Sequence, residues 1–186
     1  MEQAGSSNEN LTEQTLSSRY PFTGRVFRVR VDDVRLPNGH EASREVVEHT
    51  GGVCIAPLTD AGELLFVRQW RHPFKDVLLE LPAGKLEKDE DPLTGAVREL
   101  KEEVGAVAAR IEPLGRMLPS PGYCSEVIHL FLATGLTIGD SAPDEDEFLE
   151  AVRIPLDEAV RMVLDGEIPD AKTQLLVLKT AEKIKK

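Results

Sequence analysis

The segment between Asp91 and Gly105 constrains the fold most, because its sequence fixes both ends of one helix. Asp91 suits the N-cap and Pro92 the first helical position, while Gly105 suits the left-handed residue that follows a helix. The spacing therefore predicts a helix over about 92–104. With about 100° between successive residues, five apolar residues share one face that we expect to be buried: Leu93, Ala96, Val97, Leu100 and Val104.

Acidic side chains of this helix lie beside the apolar face. Glu99 and Glu103 are four residues apart and within about 40° of each other on one flank, whereas Glu102 points away from the apolar face, next to Arg98. Like charges at this spacing destabilise a helix, so the pair favours a divalent cation, which takes carboxylate oxygens as ligands. From the helix alone, a solvated acidic surface is the more ordinary interpretation, because runs of charge usually face solvent, and both interpretations stay open at this point.

The rest of the chain alternates in the manner of strands, with turn signals such as Pro37-Asn38-Gly39 between them. The predicted strands begin near 25, 44, 53, 64, 77, 110, 127 and 150, and two closing helices cover about 157–165 and 170–183. Many strands with few helices and no regular alternation indicate a mixed α/β sandwich of the α+β kind, not a doubly wound sheet.

Composition divides the chain and restricts its partners. Residues 1–18 are polar and predict a flexible tail, 19–49 an N-terminal β-sheet region and 50–186 the main domain. The 33 acidic and 22 basic residues give a net charge of −11, which argues against a nucleic-acid partner. No apolar run approaches the roughly 20 residues of a membrane helix. Two cysteines far apart and no signal-peptide pattern predict a reducing, cytoplasmic setting.

The helix belongs to a longer spaced pattern. Gly84 is followed by five residues, Glu90, seven residues and then the sequence RELKEEVGA over 98–106. This pattern resembles the Nudix box, so the chain is identified as a member of the Nudix hydrolases. The resemblance implies a mixed β-sheet sandwiched between helices, here with an antiparallel N-terminal sheet. Ala106 is smaller than the usual last residue of the box, and we expect it in the loop after the helix.

The resemblance also implies a metal centre that holds Mg²⁺ or Mn²⁺. Glu99 and Glu103 would be the primary ligands, joined by the backbone carbonyl of Ala83. Glu102 would be a further ligand or would support the others. Arg98 would hold the catalytic glutamates in place through charge-assisted hydrogen bonds.

The flanking segments resemble the ADP-ribose pyrophosphatases among these hydrolases. The lead-in LELPAG over 79–84, the strand sequence RQWR over 68–71 and the turn Ser120-Pro121-Gly122 all have this likeness. Pro121 lies 16 residues after Gly105, a spacing typical of that group. The acidic segment 143–150 resembles the catalytic loop of the same enzymes.

Substrate-binding roles follow from this resemblance. Arg71 would clamp a phosphate, since a planar guanidinium binds phosphate bidentately, although a surface strand charge is the alternative. Glu80 would position metal or substrate, or cap a loop, and Pro121 would line the substrate site. Glu145 and Glu147 would supply the catalytic base and a further metal ligand, and the sequence does not assign the two roles between them.

The segment 25–49 resembles a sheet that such enzymes exchange or pack across a two-fold axis, which implies a homodimer. Within it, Arg44 and Glu45 would contact the adenosine end of the substrate, from the same subunit or its partner.

The expected reaction is metal-dependent hydrolysis of ADP-ribose to AMP and ribose 5-phosphate. One alternative is another nucleotide substrate, such as GDP-mannose, FAD or NADH. A second, of a different class, is a Nudix domain that senses a nucleotide without catalysis; the complete set of box acids argues against it.

Overall fold

The computed structural model describes residues 11–142 and 148–185, which contain ten strands and three helices. In chain order these are β1 (Gln14–Thr23), β2 (Arg28–Arg35), β3 (Glu41–Glu48), β4 (Gly52–Pro57), β5 (Glu63–Arg71), β6 (Asp76–Glu80), β7 (Ala83–Lys85), α1 (Pro92–Val104), β8 (Ala106–Met117), β9 (Ile128–Ile138), β10 (Leu149–Pro155), α2 (Leu156–Leu164) and α3 (Ala171–Ile184). Among the described residues, no helix is long and apolar enough to span a membrane.

The chain divides into two compact units, and the first contains residues 11–49 and 120–126. Its sheet is antiparallel with the order β1-β2-β3. Val47 of β3 donates its N–H to the carbonyl of Tyr123 and accepts from the N–H of Ser125, at 2.7 and 2.9 Å. These bonds attach residues 120–126 to the first unit, although the segment lies within the predicted main domain 50–186.

The predicted tail over 1–18 is wrong for residues 14–18, which form the start of β1. The hydroxyls of Ser17 and Ser18 donate to Asp33 and Asp32 at 2.8 and 2.6 Å. Every residue of β1 is exposed, so this strand is held by backbone pairing and polar contacts. Apolar alternation therefore could not reveal it, and residues 1–10 lie outside the described residues.

The second unit covers the other described residues and confirms the mixed α+β fold. It has a three-stranded sheet of order β10-β5-β6 and a four-stranded sheet of order β7-β4-β9-β8, in which β4 and β9 are parallel. All six residues of β4 are buried. The second unit has two groups of buried apolar side chains. Cys54 and Ala56 pack in the group that includes side chains of α2 and α3, whereas Val53 and Ile55 pack in the group that includes side chains of α1. Helices therefore cover both sides of the central strands, as expected for an apolar run without polar alternation.

Helix α1 spans Pro92–Val104, which confirms the predicted helix and both of its caps. The Asp91 carboxylate accepts from the N–H groups of Leu93 and Thr94, at 3.0 and 3.2 Å. Gly105 ends the helix at φ +63°.

The predicted buried face of α1 is partly wrong. Leu93 and Val97 are about half exposed, whereas Glu99 and Glu103 are 7% and 3% exposed. The buried face is thus rotated toward the two carboxylates. Apolar periodicity assigns charged residues to solvent, and it fails where a charge has buried partners.

Two further expectations differ from the structure. Ala106 does not lie in a loop: it begins β8 and is buried in the group that includes side chains of α1. A small side chain suits this enclosed position. Strand β7 was not expected, because Ala83-Gly84-Lys85 has no apolar alternation; its pairing with β4 comes from backbone bonds.

Replacing Gly105 by alanine tests the junction after α1. A Cβ at Gly105 would overlap the carbonyl oxygen of Gly139, whereas a Cβ at Gly62, which also has a positive φ, would meet nothing within 4 Å. Gly62→Ala should lower the free energy of unfolding by about 1 kcal/mol, the strain of a left-handed residue. Gly105→Ala should lower the free energy of unfolding by about 3 kcal/mol, because the overlap of the new Cβ with backbone atoms adds to that strain. Urea unfolding of both variants gives the comparison, and equal losses would contradict the tight junction.

Candidate active site

Among the described residues, the Arg98 side chain donates most of the side-chain hydrogen bonds that connect α1 with its neighbouring segments. Its Nε and Nη2 donate to the two carboxylate oxygens of Glu90, at 3.0 and 3.1 Å. Its Nη1 donates to Glu99 at 2.7 Å and to Glu102 at 2.9 Å. Nη2 also donates to the carbonyl of Lys85 at 3.2 Å. One guanidinium thus joins the loop before α1, the helix itself and β7.

The charges around Arg98 are not balanced. One guanidinium contacts three carboxylates, so the formal charge of these four groups is 1 − 3 = −2. The hydrogen bonds with Glu90 raise the pKa of Arg98, and those from Arg98 and from the Glu87 N–H lower the pKa of Glu90. Both partners of that pair therefore stay ionised, and the cluster attracts a further cation.

Glu99 and Glu103 are placed by backbone as well as by charge. The N–H of Ala83 donates to Glu103 at 3.0 Å, which fixes that carboxylate beside β7. Gly84 leaves the space that the Glu99 carboxylate occupies, since a Cβ there would overlap it. A side chain at residue 84 would have to displace this carboxylate, which explains why the box begins with glycine.

The oxygen donors fit a divalent cation. Mg²⁺ in proteins commonly has one or two carboxylate ligands and keeps waters and substrate phosphates for the rest. Glu99 and Glu103 provide two buried carboxylates on one helix face, and Ala83 is adjacent to Glu103. Among the described residues, no three His, Cys, Asp or Glu side chains lie together as a candidate metal site.

Arg71 and Glu80 form a second cluster in the same unit. The Nε and Nη2 of Arg71 donate to the two oxygens of Glu80 at 2.7 and 2.8 Å. Lys172 of α3 also pairs with Glu80, and it lies 3.0 Å from Asp170. Burial alone would raise the pKa of Glu80, but the hydrogen bonds from Arg71 and the charge of Lys172 lower it to about 2.

Three predicted substrate residues lie in the first unit: Arg44, Glu45 and Pro121. Arg44 pairs with Glu13 through a hydrogen bond of 2.9 Å from its Nε. Arg44 and Glu45 are neighbours in β3, whose pairing with β2 has no register shift, so their side chains point to opposite faces of the sheet. The two residues therefore cannot line one surface of this sheet together, and the roles of all three stay predictions.

Glu145 and Glu147 lie outside the described residues. Their assignment as base and metal ligand remains a prediction from the sequence.

Sequence reasoning missed the residues of α3 that contact the Arg71 cluster. Besides Lys172, Thr173 accepts the N–H of Leu81 at 2.9 Å through its hydroxyl. Glu80 and Lys172 are 92 positions apart, and no local spacing connects them. An ionisable residue two positions after the helix N-cap Asp170 is an ordinary surface pattern, so the sequence held no signal.

Comparisons with known proteins identify the family. The model of the NUDIX domain matches residues 48–176, and that of the nucleoside diphosphate sugar hydrolase N-terminal domain matches residues 13–47. The chain belongs to the Nudix hydrolase family, whose members generally depend on a divalent metal.

Similar proteins cover nearly the whole chain. A Bacillus methanolicus protein named methanol dehydrogenase activator is 42% identical, over 89% of this chain and 90% of its own length. A Bacillus subtilis protein named ADP-ribose pyrophosphatase is 40% identical, over 93% of this chain and 97% of its own length. A crystal structure of an ADP compounds hydrolase matches with a TM-score of 0.82 at 26% identity, covering 93% of this chain and 94% of that one.

The lowered pKa of Glu80 predicts a pH-dependent stability. Because this carboxyl has a pKa of about 2 when folded and an ordinary value of 4.5, the unfolded chain binds more protons between these values. Its stabilising contribution is therefore complete above about pH 4.5 and is lost as the pH falls toward 2. The difference in unfolding free energy between wild type and Glu80→Gln should therefore become smaller as the pH falls from 4.5 toward 2.

Urea unfolding at pH 7, 4.5 and 3 measures that difference. Glu182→Gln, at an exposed glutamate of α3, is the matched control and should show no comparable trend. A Glu80→Gln difference that stays constant with pH would contradict the ion-pair cluster.

Proposed function

We propose that this chain is a divalent-metal-dependent pyrophosphatase that hydrolyses ADP-ribose to AMP and ribose 5-phosphate. The observation that carries the proposal is the pair of buried carboxylates, Glu99 and Glu103, braced on one helix face by Arg98 and the Ala83 N–H. Two carboxyl groups would not be buried side by side for stability alone. The ADP-ribose pyrophosphatase of Bacillus subtilis and the ADP compounds hydrolase support the nucleotide class of the substrate.

Glu99, Glu103 and the carbonyl of Ala83 would hold Mg²⁺ or Mn²⁺ in this proposal. Bound there, the cation would neutralise diphosphate charge and polarise the phosphorus–oxygen bond. Arg98 keeps Glu99 and Glu102 oriented, so the carboxylates need little reorganisation when substrate arrives. Glu102, a third exposed, would support the primary ligands through the same guanidinium.

Arg71 would bind a phosphate of the diphosphate. The Nε and Nη2 of Arg71 donate to Glu80, and the Nη1 of Arg71 would donate to the substrate. Glu145 or Glu147 would take a proton from the attacking water and the other would ligate metal, with Pro121 lining the substrate site. These roles rest on the family resemblance alone.

The first unit would form the dimer and contribute Arg44 or Glu45 to the adenosine end. Exposed aromatic side chains on β1 and in the turn after it support association: Tyr20, Phe22 and Phe27 are each 40–49% exposed, and the tilted rings of Phe22 and Phe27 have centroids 5.6 Å apart. Exposed apolar patches of this kind mark interaction surfaces. The cytoplasmic setting is part of the same proposal and agrees with the two free cysteines, Cys54 and Cys124.

Glu103→Gln tests the metal assignment. The change removes one negative ligand and keeps the shape of the side chain, so ADP-ribose turnover with Mg²⁺ should fall by several orders of magnitude. The measurement is AMP release, with unfolding midpoints to show that the fold is intact. Glu182→Gln serves as control and should keep wild-type turnover. Near-normal turnover of Glu103→Gln would refute the assignment.

Glu145→Gln and Glu147→Gln separate the remaining roles. The variant that lacks the base should lose turnover yet bind Mg²⁺ and ADP-ribose as wild type does. The variant that lacks a ligand should need more Mg²⁺ for half-maximal rate. Titration of the rate and of calorimetric binding with Mg²⁺ distinguishes them, and two variants with full activity would remove the acidic segment from the mechanism.

A substrate panel tests the function itself. Purified protein with Mg²⁺ is given ADP-ribose, GDP-mannose, FAD and NADH, and the released products are identified. We expect the highest kcat/KM for ADP-ribose. Preference for another compound would assign the alternative substrate, and no turnover of any would favour a nucleotide sensor.

A further inference from the structure

Ion pairs join four side chains of the second unit, and the formal charges of these four groups sum to zero. Arg71 and Lys172 are the cations, and Glu80 and Asp170 the anions. Glu80 is only 2% exposed and Lys172 is largely enclosed, with 13% of its side chain exposed. Burial would lower the pKa of Lys172, but the charges of Asp170 and Glu80 raise it instead. The lysine therefore stays charged although it is buried.

Glu80 holds only one edge of the Arg71 guanidinium. Both carboxylate oxygens face Nε and Nη2, and this two-point contact fixes the plane of the group. Among the residues that the structure describes, Nη1 has no hydrogen-bond partner, and 36% of the Arg71 side chain is exposed. The outer edge of the guanidinium is thus held in one orientation with donors left for an anion.

Lys172 keeps that outer edge positive. With all four groups the formal charge is 2 − 2 = 0; without Lys172, Arg71 would face two carboxylates and the cluster would carry 1 − 2 = −1. A net negative cluster behind the guanidinium would repel an anionic ligand. Lys172 also gives Glu80 a second cation, so Arg71 is not its only counter-ion.

The first turn of α3 fixes Lys172 in place. Asp170 caps this helix by accepting the N–H of Thr173 at 3.0 Å, and the Thr173 hydroxyl accepts the N–H of Leu81 at 2.9 Å. The helix start is therefore tied to residues 80 and 81, two positions before Ala83. A surface lysine would have no such restraint, and its rotamer entropy would oppose a fixed pair.

We propose that Lys172 is a positioning residue for substrate binding, which acts through Glu80 to present Arg71 to the diphosphate of the nucleotide. The inference rests on the proposed function, because it assigns to Arg71 the phosphate of that substrate. Lys172 itself is not assigned a contact with substrate.

The test compares Lys172→Met, which removes the charge but keeps an unbranched chain, with Lys172→Arg, which keeps the charge. We expect Lys172→Met to raise KM for ADP-ribose about tenfold, the order that one unit charge contributes at a partly screened site, with kcat changed less than about threefold. Lys172→Arg keeps the positive charge, so its KM should stay close to the wild-type value. Lys179→Met, at an exposed lysine of the same helix, should match wild type.

Three further measurements exclude a merely structural role. Calorimetry in EDTA should show the same loss of ADP-ribose affinity without turnover. In a Glu80→Gln background, Lys172→Met should raise KM by a smaller factor than in the wild-type background, since the orientation of Arg71 by the Glu80 carboxylate is already lost and only the charge of Lys172 remains to be removed. Urea unfolding of each variant shows whether a change follows stability instead.

The outcomes are separable. An unchanged KM in Lys172→Met, a loss of kcat alone, or no rescue by Lys172→Arg would overturn the positioning role while wild-type hydrolysis of ADP-ribose stands. A wild-type protein that neither binds nor hydrolyses ADP-ribose would overturn the proposed function and this inference with it.

Discussion

The site depends on one guanidinium, because Arg98 is the group that allows several carboxylates to gather beside the core. Glu90, Glu99 and Glu102 each accept a hydrogen bond from it. Carboxylates without a cation at this separation would repel one another and would lose hydration on burial. Arg98 offsets part of that repulsion before any metal binds, and the planar fork holds each carboxylate in a set direction.

The backbone contributes the other part of this preorganisation. Gly84 lets β7 approach the Glu99 carboxylate, and the N–H of Ala83 holds Glu103. Strand β7 in turn pairs with β4, whose side chains are buried on both faces. The carboxylates around Arg98 are therefore supported by a strand whose six residues are all buried, which limits the movement of these side chains.

The sequence predicted what local chemistry determines. Asp91, Pro92 and Gly105 each favour one backbone position, and the helix they bound was found at the predicted residues. The spacing of the box acids likewise identified the family that the comparisons show. The errors arose where partners are distant or polar: β1 is exposed and joined through serine hydroxyls, and the buried face of α1 includes Glu99 and Glu103. The contact between Glu80 and Lys172 depends on the complete fold and has no counterpart in any short pattern.

The parallel pairing of β4 with β9 has a consequence for the order of folding. Gly52 pairs with Ile128, 128 − 52 = 76 residues later, and such distant contacts require closure of a long loop before they form. The hydrogen bonds of Arg98, in contrast, reach no further along the chain than Lys85, 98 − 85 = 13 residues away. We expect the carboxylate cluster to assemble early from neighbouring segments, while the cluster that holds Arg71 waits for α3. The Arg98 cluster and the Arg71 cluster would then form at different times.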